Sequence, residues 1–295
     1  MDKKKALFYH IGGKNGELGE EISCLLPSET PDIYIEPFGG SFAIGIKSDY
    51  DPNKVLLIHN DMDNIVHSIF KAVTQYPEET LDAVYDLLEK YDFEQSTVDY
   101  IRFIFNYKNL TGNDLFCDDI YLGAAAWILK YMTRNGDCKY IKTNIDDMDK
   151  LYKIFEKRED IAFDLEGAVA LSMDAMEILS QIKQHGRTHD LKIFLYIDAP
   201  YTHSGKRTTK HDLYRVDIDK QDKDIVNLAN LLVEINQCTD CKIMVSEYDN
   251  PIYNQILSEE NGFRKIAVLD VPKSMYYSKN GECKPIETEY VWCNY

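Results

Sequence analysis

The residues of this chain best suited to chemistry are Asp198, Ala199, Pro200 and Tyr201. They directly follow the apolar run Ile193–Ile197, whose β-branched and aromatic side chains are typical of a strand buried on both faces of a parallel sheet. A hydrogen-bond acceptor, a rigid proline and an aromatic ring therefore arrive together at the carboxyl end of a strand, where open α/β sheets bind ligands. Asp and Pro also form ordinary turns, so a plain turn explains these residues equally well.

The composition of the chain excludes several classes of protein. Hydrophobic residues make up 44% of its 295 residues, and no apolar run approaches the roughly 20 residues that a membrane helix needs. The basic start of the chain is not followed by a long apolar region, so we expect a cytoplasmic protein without a secretion signal or membrane segment. The net charge of −17 argues against a generic nucleic-acid binder, because phosphate contacts need a basic surface.

The seven cysteines do not indicate a metal centre or a disulfide framework. Only Cys238 and Cys241 form a C-x-x-C pair, and a zinc site normally needs a second pair of ligands, of which no good example is visible. We therefore expect two reduced thiols in a loop and no bound metal.

Two glycine turns allow a ligand to approach the backbone closely. The turn Gly12–Lys14 carries one cation and suits an anionic group, although a plain loop has the same pattern. The second turn, Glu36–Gly40, follows the predicted strand Ile33–Ile35 and opens toward a helix. It differs from the G-x-G-x-x-G fingerprint of dinucleotide-binding proteins.

Two aspartates stand where predicted strands give way to helices. Asp61 follows the second strand, at the place where a Rossmann-type fold holds ribose hydroxyls. Asp174 begins the helix predicted after the strand Ala168–Leu171. Helix capping explains both residues without any ligand, and the two roles are compatible.

The middle of the chain differs in character from the two ends. Residues 76–165 are mostly helical and rich in aromatic side chains, with Asp119–Met132 as the strongest helix, and they show no alternation of strands and helices. The alternation returns after residue 166. We therefore predict an α/β fold with a Rossmann-like sheet formed by residues 1–75 and 166–295, interrupted by a helical insert at 76–165.

The densest basic patch of this acidic chain comes directly after Tyr201. A lone charge run is usually a solvated face, but this one stands beside the candidate site. Its cations, which would suit an anionic partner, are Lys206, Arg207, Lys210 and Arg215.

Taken together, these pieces resemble the Dam-like adenine-N6 DNA methyltransferases, which use S-adenosylmethionine. The matching elements, in the order of the family, are Gly12-Gly13-Lys14, the E-P-F-x-G block Glu36–Gly40, Asn60-Asp61, Asp174 and the D-x-P-Y motif Asp198–Tyr201. The terminal Glu289–Tyr295 resembles the closing strand of the family. The resemblance covers most of residues 5–75 and 168–295, and the helical block fits the target-recognition insert of the family by position.

This resemblance implies a site-specific enzyme that acts on double-stranded DNA, with a cognate restriction endonuclease as a further candidate partner. The expected DNA-binding residues are Lys206, Arg207, Lys210 and Arg215. Asp61 would hold the ribose hydroxyls of the cofactor, Asp174 its adenine and Lys14 its methionine carboxylate. The full set of implied cofactor-binding residues is His10, Gly12, Gly13, Lys14, Glu36, Pro37, Phe38, Gly39, Gly40, Asp61, Asp174 and Asp198.

The chemistry of the D-x-P-Y motif follows from the weakness of the nucleophile. The lone pair of adenine N6 is delocalised into the ring, so a catalyst must localise it and direct it at the methyl carbon. The Asp198 carboxylate can accept one N6–H bond and the carbonyl of residue 199 the other, while Tyr201 offers a ring to stack on an extruded base. The expected catalytic residues are therefore Asp198, Ala199, Pro200 and Tyr201.

Three residues depart from the pattern of the family. Ala199 replaces a proline, which keeps the carbonyl but loosens the site. Phe42 replaces a small residue, and its side chain would crowd or reshape the cofactor pocket. His10 stands where the family often has an aromatic residue. A catalytically weakened homologue that binds DNA, cofactor or a partner protein is therefore the main alternative, and a methyltransferase acting on RNA or protein is a second.

Overall fold

The computed structural model describes residues 6–10, 12–91, 94–107, 118–142, 148–186, 190–200, 222–272 and 285–295. Its strands are β1 (Ile33–Glu36), β2 (Leu56–Asn60), β3 (Val169–Leu171), β4 (Ile193–Ile197), β5 (Lys242–Tyr248), β6 (Arg264–Pro272) and β7 (Ile286–Cys293). Its helices are α1 (Glu17–Ser23), α2 (Ala43–Lys47), α3 (Asn64–Gln75), α4 (Pro77–Lys90), α5 (Gln95–Tyr107), α6 (Asp119–Met132), α7 (Met148–Glu156), α8 (Glu159–Asp164), α9 (Ala175–His185), α10 (Asp222–Cys238) and α11 (Pro251–Ile256).

The strands form one mixed sheet in the order β3-β2-β1-β4-β5-β7-β6. The first five of these are parallel, and β7 runs antiparallel to both β5 and β6. The chain moves outward from β1 to β3 and then returns to the other side of β1 with β4, so the strand order reverses between β1 and β4. Such a reversal is the usual ligand-binding position of a doubly wound sheet. The predicted Rossmann-like α/β fold is confirmed.

Helices cover both faces of the sheet because its parallel strands are apolar on both sides. On one face α3, α4 and α6 enclose a core that includes the rings of Phe70, Trp127 and Phe194. On the other face α9, α10 and α11 pack over Leu195 and Ile243. The central strands are thus held by packing on both faces, and the loops that follow their carboxyl ends can form a site.

The described residues between 77 and 164 are mostly helical, and the longest of their helices share a core with the sheet. Helix α6 is buried almost all round, and it approaches α3 closely at Gly123. A side-chain carbon at Gly123 would lie 2.7 Å from the carbonyl oxygen of Ser68. The division of the chain into a catalytic domain and a target-recognition insert stays a prediction.

The expectation that Phe42 crowds the ligand pocket is wrong, because its ring points into the protein core. Phe42 is fully buried, and its ring packs edge-on against Tyr34, His59 and Phe70. Its backbone occupies the left-handed region, with φ at 54°. The ring also fills the space beside Gly45, where any side-chain carbon would collide with it. The large side chain that replaces a small residue at this position is thus accommodated by packing beneath the turn.

The left-handed backbone at Phe42 gives a test that separates strain from packing. Replacing Phe42 by alanine removes a buried ring and is expected to lower the free energy of unfolding by about 3–5 kcal/mol. Phe42→Gly loses the same ring but relieves the backbone, so it should be about 1 kcal/mol more stable than Phe42→Ala. Urea unfolding of both variants measures the difference. Equal stabilities of the two variants would show that the positive φ at this position does not lower the free energy of unfolding.

Candidate functional site

A cavity of about 400 Å³ lies beside the carboxyl ends of β1, β2, β3 and β4. Every sequence-predicted cofactor or catalytic residue that the structure describes lines it, including Ala199 and Pro200. Tyr201 and the predicted DNA contacts Lys206, Arg207, Lys210 and Arg215 lie outside the described residues. The strand order explains the convergence, because parallel strands end at one edge of the sheet.

The centre of the cavity wall is an ion cluster around Lys14. Its Nζ lies 2.6 Å from Oδ1 of Asp198 and 3.5 Å from Oε1 of Glu289, a residue of β7. The Lys14 side chain is 1% exposed, so the pair is shielded from water. Burial opposes the charge of Lys14, but the two carboxylates outweigh that effect and raise its pKa. Lys14, expected to hold the methionine carboxylate of a cofactor, is already engaged by carboxylates of the protein.

The two oxygens of Asp198 differ in their surroundings. Oδ1 accepts the Lys14 bond and a longer one of 3.4 Å from the hydroxyl of Ser246, which lies 2.8 Å from the Tyr196 hydroxyl. Oδ2 makes no hydrogen bond with the part of the chain that the structure describes. Burial raises the pKa of the Asp198 carboxyl, and the Lys14 ammonium opposes that rise. One oxygen is thus anchored while the other is available to a donor in the cavity.

Glu36, at the end of β1, is a second buried carboxyl beside Asp198. Its Oε1 accepts hydrogen bonds of 2.7 Å from the Tyr34 hydroxyl and from the backbone N–H of Gly45. Burial raises the pKa of Glu36 to about 8. Glu36 is therefore mostly protonated at neutral pH and adds little negative charge next to Asp198.

Two histidine rings shape the glycine turn after β1. A side-chain carbon at Gly39 would collide with the ring of His59, and one at Gly40 would lie 3.0 Å from the ring of His10. Nε2 of His59 lies 3.2 Å from the carbonyl oxygen of Gly40, so this nitrogen carries the hydrogen and donates it. Only glycine fits between the rings, and the backbone of the turn is thereby exposed to the cavity.

The burial of His59 gives the protein an acid-sensitive component of stability. His59 stacks on Phe70 with ring centroids 3.6 Å apart, and burial lowers its pKa to about 3. Between pH 6.5 and 3 the unfolded chain binds a proton that the folded protein does not, so this contribution is present above pH 6.5 and is lost as pH falls.

The stability of the protein should therefore drop faster on acidification when His59 is present. From pH 6.5 to 5.5 His59 alone should remove about 1 kcal/mol from the free energy of unfolding. In His59→Gln, which keeps a donor for Gly40 but does not titrate, the drop should be smaller by that amount. Urea unfolding at the two pH values measures it. Identical drops in both proteins would contradict the buried, neutral state.

Asn60 and Asp61, at the end of β2, hold the loops around the cavity. The side-chain amide of Asn60 donates to the carbonyl oxygens of Pro37 and Met173, and its oxygen accepts from the N–H of Met173. Asp61 accepts hydrogen bonds from the N–H groups of Gly40, at 3.0 Å, and Asp63, at 2.7 Å. Burial raises the pKa of Asp61 to about 6. Both residues therefore fix the backbone that a ligand would meet.

Asp174 serves the capping role that was one of its two predicted functions. It is the N-cap of α9, and its Oδ1 accepts a hydrogen bond of 2.7 Å from the N–H of Met176. Asp174 also lines the cavity, so a ligand contact remains compatible with the cap.

Several lining residues were missed by the sequence reasoning. Some come from the helical segment and from α10, which showed no ligand-binding motif, and the others are close in sequence to predicted site residues. A signal for one of them was present, since Lys130 is a lone cation in an otherwise apolar stretch of α6. The missed residues that carry polar side chains are Ser41, Asp63, Lys130, Asp137, Lys139, Tyr196, Asp224 and Asn227.

The described part of the chain contains no cluster of side chains arranged to hold a metal ion. Cys238 is exposed and Cys241 is buried, and both are free thiols. Among the same residues, none of the helices combines the length and the apolar character that crossing a bilayer requires.

Comparison with known proteins agrees with the motifs. A family described as D12 class N6 adenine-specific DNA methyltransferases matches residues 10–271, a span that includes the glycine turns, the helical segment and the D-x-P-Y motif. No match was found among curated proteins. The family match confirms the resemblance to Dam-like adenine methyltransferases. Because it covers well over half of the chain, this protein belongs to the D12 class of N6 adenine-specific DNA methyltransferases.

Proposed function

We propose that the protein transfers a methyl group from S-adenosylmethionine to N6 of an adenine that is extruded from a specific DNA sequence. The observation that carries this proposal is the state of Asp198, which has one oxygen fixed by Lys14 and the other available at the cavity. An acceptor held in place before the substrate arrives suits an amine whose lone pair must be oriented.

The cavity fits the proposed cofactor in size and in chemistry. Its volume of about 400 Å³ falls within the usual range for small-molecule sites. The glycine turn Phe38–Gly40 exposes backbone, and Asp61 and Asp174 provide carboxylates for the ribose and adenine parts. S-adenosylmethionine, when bound, supplies the methyl group as an electrophile.

The acceptors of the D-x-P-Y motif account for the activation of the amine. Asp198 Oδ2 would accept one N6–H bond and the carbonyl of Ala199 the other, which favours a tetrahedral nitrogen with its lone pair directed at the methyl carbon. Ala199 is 8% exposed and packs in the core beneath the site. We propose that this packing replaces much of the rigidity that a proline would give.

The proposed DNA contacts follow the described part of the D-x-P-Y motif in the sequence, among residues that the structure does not describe. Extrusion of the base is needed because N6 cannot be reached productively inside a duplex, and Tyr201 is the proposed stacking partner. Lys206, Arg207, Lys210 and Arg215 would supply the local positive charge that this acidic protein otherwise lacks. A DNA substrate is in keeping with a cytoplasmic enzyme, and a cognate restriction endonuclease would need the same recognition sequence.

Labelled S-adenosylmethionine and unmethylated DNA test the proposal directly. We expect label in adenine N6 of double-stranded DNA, confined to one short sequence motif. Cofactor binding without transfer would instead favour the weakened homologue, and label only in RNA or protein would favour a different substrate. Sequencing of methylated adenines in a host that expresses the protein identifies the motif.

A further inference from the structure

The cavity contains a second buried lysine that makes no ion pair with the described residues, although its charge acts on Asp61 and opposes the rise of that residue's pKa. Lys130 lies near the end of α6, is 4% exposed and lines the cavity wall. Its Nζ donates to the carbonyl oxygen of Gly136 at 3.2 Å and stands 5.5 Å from the centre of the Phe8 ring. Within the described ranges it makes no ion pair, and the remaining N–H donors of its ammonium have no partner.

A buried ammonium with a neutral hydrogen-bond partner is unfavourable unless an anion reaches it. The acidic side chains nearby are committed to backbone groups. Asp61 accepts from Gly40 and Asp63, while Asp137 accepts from the N–H of Lys139 at 2.8 Å. These carboxylates hold the loops around Lys130 without bonding to it. The cavity is therefore arranged to receive an anionic group from a ligand.

The two buried lysines of the cavity have different roles. Lys14 is saturated by Asp198 and Glu289, so it has no obvious capacity to bind a further anion. Lys139 also lines the cavity but is only half-buried, and water therefore shields its charge. Among the lysines that line the cavity, Lys130 is the one whose neutralisation by a ligand would contribute most to the binding free energy.

We propose that Lys130 binds the carboxylate of the amino-acid part of the cofactor. This inference rests on the proposed use of S-adenosylmethionine, in which that carboxylate is the one anionic group. It also assigns to the helical segment a role in cofactor binding in addition to any role in DNA recognition. The same charge could instead meet a DNA phosphate, and the experiment below separates the two sources.

Calorimetry with two ligands tests the assignment. The wild-type protein should bind S-adenosylmethionine roughly 10- to 100-fold more tightly than decarboxylated S-adenosylmethionine, because a charge-assisted hydrogen bond is lost with the carboxylate. Lys130→Met should lose this preference by binding S-adenosylmethionine more weakly while its affinity for the decarboxylated ligand is unchanged. Lys130→Arg should keep most of the preference.

The control is Lys71→Met, which removes a 2.6 Å ion pair with Asp119 at the start of the same helix and should leave both affinities unchanged. Equal binding of the two ligands by the wild-type protein overturns the inference without reference to any variant. An equal loss of affinity for both ligands in Lys130→Met and Lys130→Arg also overturns it, because it indicates a structural role for Lys130. A variant that binds S-adenosylmethionine normally but DNA weakly assigns Lys130 to a phosphate. If the wild-type protein binds neither ligand, the proposed function fails together with this inference.

Discussion

Replacing Asp198 by asparagine is expected to lower the rate of methyl transfer at least about 100-fold. Lys14 lies 2.6 Å from Oδ1, so the asparagine oxygen will face Lys14 and its amide nitrogen will occupy the position of Oδ2. That position then presents a donor to an amine that also donates. The substitution preserves size and the Lys14 contact, so it removes the acceptor while altering little else.

Single-turnover transfer to DNA measures the chemical step, and calorimetry measures cofactor affinity separately, because Asp198 lines the same cavity. Asp86→Asn provides a matched control, since Asp86 pairs with Lys90 in α4, far along the chain from the site. It should retain full activity. An Asp198→Asn enzyme within tenfold of the wild-type rate would show that the free oxygen of Asp198 does not orient the amine.

Replacing Lys14 by methionine should strongly lower both the stability and the activity of the protein. It leaves the buried carboxylates of Asp198 and Glu289 without their shared cation, and breaking such a buried pair typically costs about 3–5 kcal/mol. Activity should fall as well, because Oδ1 of Asp198 loses the contact that fixes its orientation. Urea unfolding and transfer assays on the same preparation measure both effects.

The defect of Lys14→Met should grow with pH. Burial already raises the pKa of the Asp198 carboxyl, and without the ammonium this folded-state pKa rises further above the unfolded value. Such a group stabilises the folded protein while it is protonated, and the contribution is lost as pH rises through the folded pKa. The variant should therefore be closer to the wild-type stability at pH 5 than at pH 8.

Lys47→Met is the control for a lost buried lysine. Lys47 pairs with Glu20 at 2.5 Å, but Glu20 is 31% exposed and can stay ionised in contact with water. Lys47→Met should lose less stability than Lys14→Met, and it should keep its methyl-transfer activity. Equal losses in the two variants would mean that the position of Lys14 between two carboxylates has no special weight.

The sequence predicted those parts of the molecule that depend on local patterns. Helix α6 has the predicted bounds, Asp119–Met132, because the N-cap Asp118 precedes a run that is rich in alanine and leucine, both good helix formers. The apolar run Ile193–Ile197 forms a strand in the predicted parallel sheet. Because parallel strands end at one edge of the sheet, the sequence also predicted that Glu36 and Asp198 lie at the same edge, and both line the cavity.

The sequence could not predict contacts that the tertiary fold creates. Lys14 and Asp198 are 184 residues apart, and no local pattern records that they meet. The direction of the Phe42 ring depends on space beside Gly45 and His59, which only the packed core defines. Lys130 is the lone cation of α6, but whether it faces water or a cavity depends on the packing of α6 against α3.

The position of β7 determines when this site becomes complete during synthesis. In the sheet, β7 lies between β5 and β6 although it follows both along the chain, and it carries Glu289. When Lys14 and Asp198 have already been synthesised, the ion cluster cannot form until β7 has also been synthesised and has joined the sheet. Until then β6 also lacks the neighbour with which it pairs. The site therefore becomes ordered only after β7, the last strand of the sheet to be synthesised, has paired with β5 and β6.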